Sequence, residues 1–386
     1  MKAALQRRAR GFTLVELMVS IVIGLLAVLF ATRIMTEGER TKDAALGGSE
    51  SMQNGMLAMF QISADAEQAG FGLNDPIVLG CDTIFSDSEG YQLAQAPRGA
   101  ATVRPLGSVV IEPGGEESDR ISLYAGSSLT GTGTVGLQSD YIGGTLLTID
   151  RKAFGFGKDD VILVAPENPG GNCALAQISV DPGEATELAI GGAGLRYNSG
   201  SLGRNFEGNA TRIFNLGPAR NLSFHTWSVE NGYLRLRSTN LPGAAESSRP
   251  VADNIVALKA QYGFDNRSVA DFEPEKGMQI GLWSNEMVDA DGDGVVGGAG
   301  DYQRITALRI AVVARAKNPE RPGTDGQCAA TTTAPTLFAS AQPQGVEAVP
   351  VTVGLALADD AVDWRCYRYR VFETIVPMRN SGWRPS

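Results

Sequence analysis

A chain of 386 residues, 43% hydrophobic and 20% charged, has the composition of a folded protein with room for one large domain or two ordinary ones. Its net charge of −10 argues against nucleic acid as a partner, because phosphate binding needs a basic surface. There is one histidine, His225, so any His–Cys metal cluster or His-based triad has to centre on that ring.

The chain opens with residues 1–11, which carry Lys2, Arg7, Arg8 and Arg10 and no acid. Residues 12–31 are apolar apart from one charge and are followed by Arg33. About 20 apolar residues at ~1.5 Å each cross a bilayer core. The run is too long for the apolar region of a secretory signal. Bases ahead of it predict a cytoplasmic start and a body outside the cytoplasm. Glu16 lies inside this stretch, and an intramembrane carboxylate is by default a functional residue with a partner.

The stretch RGFTLVELMVSIVIGLL resembles the class III signal of type IV pilins and type II secretion pseudopilins. The resemblance implies that a prepilin peptidase cuts between Gly11 and Phe12 and that the new amine of Phe12 is N-methylated. It also makes Glu16 the fifth mature residue, which pairs with the terminal amine of a neighbouring subunit. An amine and a carboxylate are each costly alone in an apolar medium and offset one another when paired. A misaligned neighbour leaves both unpaired, so the pair sets register.

Residues 12–34 are therefore expected to form a membrane and assembly helix, and 35–70 an amphipathic continuation free of proline. Met52, Met56, Met59, Phe60 and Ser63 follow helical spacing, which predicts an apolar face covering the body's sheet. Gly47, Gly48 and Gly55 are expected weak points in that helix. GFGLNDPIVLGC (70–81) supplies the stop signals.

Ten short β-type runs follow: SVVIEP, DRISLYAG, TLLTID, DDVILVAP, LAQISV, RNLSFHTWSV, GYLRLRS, NIVALKAQYGF, RITALRIAVVARA and YRVFETIVPM. With 47 glycines for the turns, they predict one mainly antiparallel β body over residues 71–386. The expected fold class is thus α+β and type IV pilin-like. VADNIVALKAQYGFD, DADGDGVV, RITALRIAVVARA and YRVFETIVPMRN occur in the order found in PilW-type minor pilins, which these segments resemble. Residues 82–245 match that pattern only loosely.

Cys81, Cys173, Cys328 and Cys366 all follow the apolar run, on the side where disulfides persist. Four cysteines allow three pairings. Cys81–Cys173 and Cys328–Cys366 are expected because they close sequential loops without nesting. The second would resemble the disulfide-closed carboxy-terminal region of many pilins. Metal ligation is the rival use, but no CxxC spacing occurs.

In DADGDGVV, Asp289, Asp291 and Asp293 alternate and Gly294 follows, as in the first half of a calcium loop. Val295 could add its carbonyl, and Asp301 is the nearest acid after Gly300, which occupies the position where an EF-hand has glutamate. The competing reading is an acidic hairpin turn. Calcium is the one cofactor expected.

No catalytic constellation stands out, so an enzyme is not expected. The resemblance implies a minor pilin that helps prime a type IV pilus and sits at or near its tip. It would start as a single-pass inner-membrane protein with a periplasmic body and end in the surface pilus. Its implied partners are other minor pilins, the major pilin, prepilin peptidase, the inner-membrane assembly platform and a tip adhesin. The alternatives are a J-type minor pseudopilin of a type II secretion system or a tip adhesion subunit.

Overall fold

The computed structural model describes residues 13–127, 134–197, 200–323 and 325–380, without the side chains of 37 and 39–47. Gly11 and Phe12, the expected cleavage pair, lie outside the described residues. The chain divides into two compact units, residues 1–50 and 51–386.

In the first unit, helix α1 (Leu14–Gln68) begins immediately after Thr13. Leu14–Thr36 is long and apolar enough to cross a membrane. Thr32 and Thr36 turn their hydroxyls back onto the Val28 and Thr32 carbonyls at 2.9 and 2.7 Å. That satisfies polar groups which would otherwise be orphaned in lipid.

In the second unit, three large sheets, three two-stranded ribbons and the last turns of α1 make up the body among the described residues. A six-stranded sheet runs in the order Pro105–Leu106, Cys81–Ile84, Asn172–Gln177, Asp160–Pro166, Thr211–Pro218, Thr134–Gly136. Its one parallel pair joins Cys81–Ile84 to Asn172–Gln177. A five-stranded sheet is ordered Arg249–Asp253, Tyr233–Ser238, Ser223–Glu230, Arg120–Ala125, Val109–Glu112. A four-stranded antiparallel sheet is ordered Leu282–Ser284, Ile255–Phe264, Ile305–Arg315, Tyr369–Pro377. The ten predicted runs all contribute strands.

Ile255–Phe264 is buried along its whole length. Its neighbour Ile305–Arg315 sends Leu308, Ile310 and Val312 into the main core, which also holds Ala58, Ile62 and Ala66 of α1. The other face of these strands carries Ala257, Ala311 and Val313 against Leu337, Phe338, Val353 and Leu355. A strand buried on both faces reads as a continuous apolar run, which is why these two were clear in the sequence. The six-stranded sheet has a core of its own on its far face, including Leu137, Leu147, Ile149, Ile162, Val164 and Ile213.

The helix meets the body on a face other than the predicted one. Ser51, Gly55, Ala58, Ile62, Ala66 and Ala69 are buried, whereas Met52, Met56 and Phe60 are exposed. The buried set is the predicted set displaced by one residue, a rotation of about 100°. The cause is closeness of approach. A Cβ on Gly55 would lie 2.0 Å from Cε2 of Phe372, so only small residues let the helix settle here. Gly55 is accordingly no weak point: it is the place where the last strand's aromatic ring crosses the helix.

Candidate functional site

Glu16 stands in the first turn of α1. Its Oε2 accepts from the backbone N–H of Thr13 at 3.0 Å and from the Thr13 hydroxyl at 2.9 Å. The Glu16 N–H in turn donates to Thr13 Oγ1 at 3.3 Å. This reciprocal arrangement is a capping box, which satisfies donors at a helix start. The carboxylate therefore has a local partner within its own chain and remains on the exposed surface of the helix. Glu16 is the one acid among residues 13–36.

At the other end of α1, Asp65 ties helix to sheet. Its Oδ1 accepts from Nδ1 of His225 and its Oδ2 from Nε1 of Trp227, each at 2.7 Å. His225 and Trp227 alternate on Ser223–Glu230 and so point to one face. On the far side of the ring, Nε2 lies 3.0 Å from Asn240 Oδ1 and 3.1 Å from Ser223 Oγ. Asp65, His225 and Ser223 thus line up like a hydrolytic triad, but the proton accounting differs. Asn240 Oδ1 accepts the Nε2 proton, leaving no lone pair to take one from Ser223. Burial alone would push the His225 imidazole down. The hydrogen bond and charge of Asp65, helped by Asn240, outweigh it and hold the imidazole above its ordinary value. The ring clamps helix to sheet through Asp65 and Asn240. Sequence reasoning placed His225 on a strand but missed Asp65, which is one acid among many on a helix and carries no local signal.

The acidic loop folds around a residue that seemed peripheral. Asp301 is fully buried, and its two oxygens accept from the N–H groups of Ala290, Asp291, Gly297 and Gly298 at 2.6–3.3 Å. Carboxylate oxygens of Asp289, Asp291 and Asp301 lie within 4.8 Å of one another, the geometry of a group that can hold a metal ion. Asp293 does not join them; its Oδ1 accepts the Val295 N–H at 2.7 Å. The Val295 carbonyl accepts from Gly298 N at 3.2 Å. Positive φ at Gly292 (78°) and Gly294 (87°) makes the turns that bring Asp289 back toward Asp291. A Cβ at Gly300 would lie 1.6 Å from Asp291 Oδ2, so the glutamate of an EF-hand has no room here. Burial raises the Asp291 and Asp301 carboxyls, and neighbouring aspartates add to the rise. A hard dication suits such a set, because it takes oxygen ligands and removes the like-charge repulsion.

Both expected disulfides are formed, Cys81–Cys173 with Cα atoms 5.8 Å apart and Cys328–Cys366 with 4.8 Å. The guanidinium of Arg98 links the first bond to the acidic loop. It donates to the carbonyls of Gly80, Gly170 and Gly297.

Comparison with known families gives two matches. Residues 226–380 match the type IV pilus-assembly protein W family, and residues 6–32 match the prokaryotic N-terminal methylation motif. The first covers the four-stranded sheet, the acidic loop and the Cys328–Cys366 bond; the second covers the second half of the leader, Glu16 and most of the membrane-length helix. No curated protein and no solved structure matches the chain.

Proposed function

We propose that this type IV pilus-related chain, with a methylation motif at one end and a W-type pilus-assembly domain at the other, is a minor pilin that helps prime the pilus and resides at or near its tip. The carrying observation is Glu16, a lone acid in a membrane-length apolar helix, five residues after Gly11. Prepilin peptidase cuts between Gly11 and Phe12, the Phe12 amine is methylated, and Glu16 exchanges its Thr13 contacts for the amine of a neighbouring subunit. Before assembly the body lies in the periplasm; afterwards it is on the cell surface. The exposed Met52, Met56 and Phe60 support side-by-side packing with other subunits, since exposed apolar stripes of this kind mark interaction surfaces. The six-stranded sheet adds bulk outside the family match, and a bulky subunit fits the end of a fibre better than its repeating shaft.

Glu16→Ala is expected to reduce incorporation into sheared pili about tenfold, the factor carried by ~1.4 kcal/mol of lost register energy. Immunoblotting of pilus and membrane fractions reads it out. Wild-type incorporation of the variant would remove the pairing role. Normal piliation with failed protein secretion in a gene deletion would move the chain to a secretion pseudopilus.

Asp289, Asp291 and Asp301 are the proposed calcium ligands. Calcium at 100 times its Kd is expected to stabilise the folded chain by about 2.7 kcal/mol. The gain should shrink at acidic pH, where protons compete for the raised Asp291 and Asp301 carboxyls. Asp289→Asn with Asp291→Asn should abolish it. A melting temperature indifferent to calcium at neutral pH would end the assignment.

A further inference from the structure

The last strand of the four-stranded sheet, Tyr369–Pro377, is nine residues long and lies at the sheet's edge. It pairs with Ile305–Arg315 without a bulge, from Ala307↔Pro377 to Arg315↔Tyr369. Just beyond the two ends of that ladder, Met378 N donates to Thr306 O and Ala316 N to Arg368 O. In an antiparallel pair these bonds recur at every second residue, so the even-numbered residues of Tyr369–Pro377 face the inner strand. The backbone N–H and C=O groups of Tyr369, Val371, Glu373 and Ile375 point the other way. Among the described residues none of them has a hydrogen-bond partner.

The other outer strands of the three large sheets are two to five residues long, and Arg249–Asp253 carries a proline. Short strands, prolines and bulges are the usual protection of a sheet edge. Tyr369–Pro377 has a proline only at its last position. Four consecutive free donor–acceptor sets at alternate residues select one kind of ligand, an extended polypeptide.

Charge narrows that ligand further. In a protein of net charge −10, Arg370 and Arg379 are exposed at this edge with no acid within ion-pair distance among the described residues. Arg370 also reaches Sδ of Met52 at 3.8 Å, so the edge is continuous with the exposed stripe of α1. We infer that the outer edge of Tyr369–Pro377 receives an extended strand from another protein, with acidic residues of that strand opposite Arg370 and Arg379. The edge is defined by this chain's own backbone, and the inference does not depend on the assembly the chain joins.

The test is hydrogen exchange on the full chain in detergent micelles. The probe is a short synthetic peptide of alternating threonine and valine with a glutamate at each end, compared with its lysine-ended counterpart. The amides of Val371, Glu373 and Ile375 should exchange fast in the free chain and slow about tenfold with the acidic peptide. The lysine peptide should bind several-fold more weakly, and Arg370→Glu should reverse that preference. Val371→Pro removes an outward N–H and leaves the inner ladder intact, so it should abolish protection. Equal protection by both peptides, or undiminished protection in Val371→Pro, would overturn the inference. So would a dimer in sedimentation that Val371→Pro dissolves, because the occupant would then be a second copy of this chain.

Discussion

Asp65→Ala is expected to destabilise the body by about 3 kcal/mol, because it strips the acceptor from two buried donors at once. Trp227, 2% exposed, would be left with an unpaired indole N–H, and His225 would lose the carboxylate that offsets its burial. An unsatisfied buried donor costs roughly 1–3 kcal/mol. Asp65→Asn keeps one acceptor, for Trp227, and replaces the one facing His225 by an uncharged NH2, so it should cost less and also flatten the pH response. The sign follows from His225. Its folded pKa is raised above the ordinary value of about 6.5, so protonation stabilises the folded state. That contribution is complete below pH ~6.5 and is lost as pH rises through the folded value. The margin of the wild type over Asp65→Asn in urea midpoint should therefore be larger at acidic than at alkaline pH. Asp65 is the only charged side chain contacting His225 among the described residues, and the chain has no other histidine, so the difference isolates this contact. An unchanged margin across that range would show that the contact is not an ion pair.

The clamp illustrates what a sequence yields and what it withholds. Strands announced themselves wherever burial was nearly uniform: Ile255–Phe264 and Ile305–Arg315 are mostly apolar because both faces are covered, with Lys259, Gln261 and Arg309 as the buried exceptions. Thr211–Pro218 was missed although it is an interior strand of the six-stranded sheet, paired on both sides. Its Asn215 and Gly217 sit at a bulge, and they interrupt the run that would have marked it. The helix face was misread by one residue because hydrophobicity favoured methionines, whereas the fit against Phe372 required Gly55 and the buried face runs through Ser51 and Ala58. Small residues that permit contact carry no hydrophobic signal. The acidic loop was legible as far as its glycines and its alternating acids. The distinction between Asp293, which caps Val295, and Asp301, which organises the loop, depends on a chain reversal that spacing does not encode. Glu16 was the opposite case: a single residue against a uniform background is conspicuous without any structure.

The family match and the folding units also divide the chain differently, and the difference bears on function. Residues 226–380 supply the four-stranded sheet whose core includes residues of α1, the acidic loop and the open edge. The six-stranded sheet lies before that match, and its far face is built on a separate core. The two parts share the five-stranded sheet, and Arg98 adds a tie between them: it donates to Gly297 on one side and to Gly80 and Gly170 on the other.

Replacing Cys81 and Cys173 together by alanine is expected to lower the unfolding free energy by about 3–5 kcal/mol, the larger effect of the two disulfides. The bond spans 92 residues, and the chain-entropy estimate for a loop of that size is between 4 and 5 kcal/mol. Both cysteines are fully buried, and Cys81–Ile84 is held by only three parallel and two antiparallel register pairs. Parallel partners far apart in sequence close an expensive loop before their contacts form, so this strand relies on the cross-link. The Cys328–Cys366 bond spans 38 residues and is placed differently. Most of the loop it closes is already anchored inside: Leu337, Phe338, Val353 and Leu355 are buried, and Arg309 donates to the Phe338 and Ser340 carbonyls. Losing that bond should release the exposed segment around Arg321 while the buried anchors hold. The expected pattern is a large fall in urea midpoint for the first pair, with a small fall and faster tryptic cleavage after the exposed Lys317 for the second. Equal midpoint shifts would mean that the carboxy-terminal loop unfolds together with the sheet beneath it, and that its buried anchors are too weak to hold it alone.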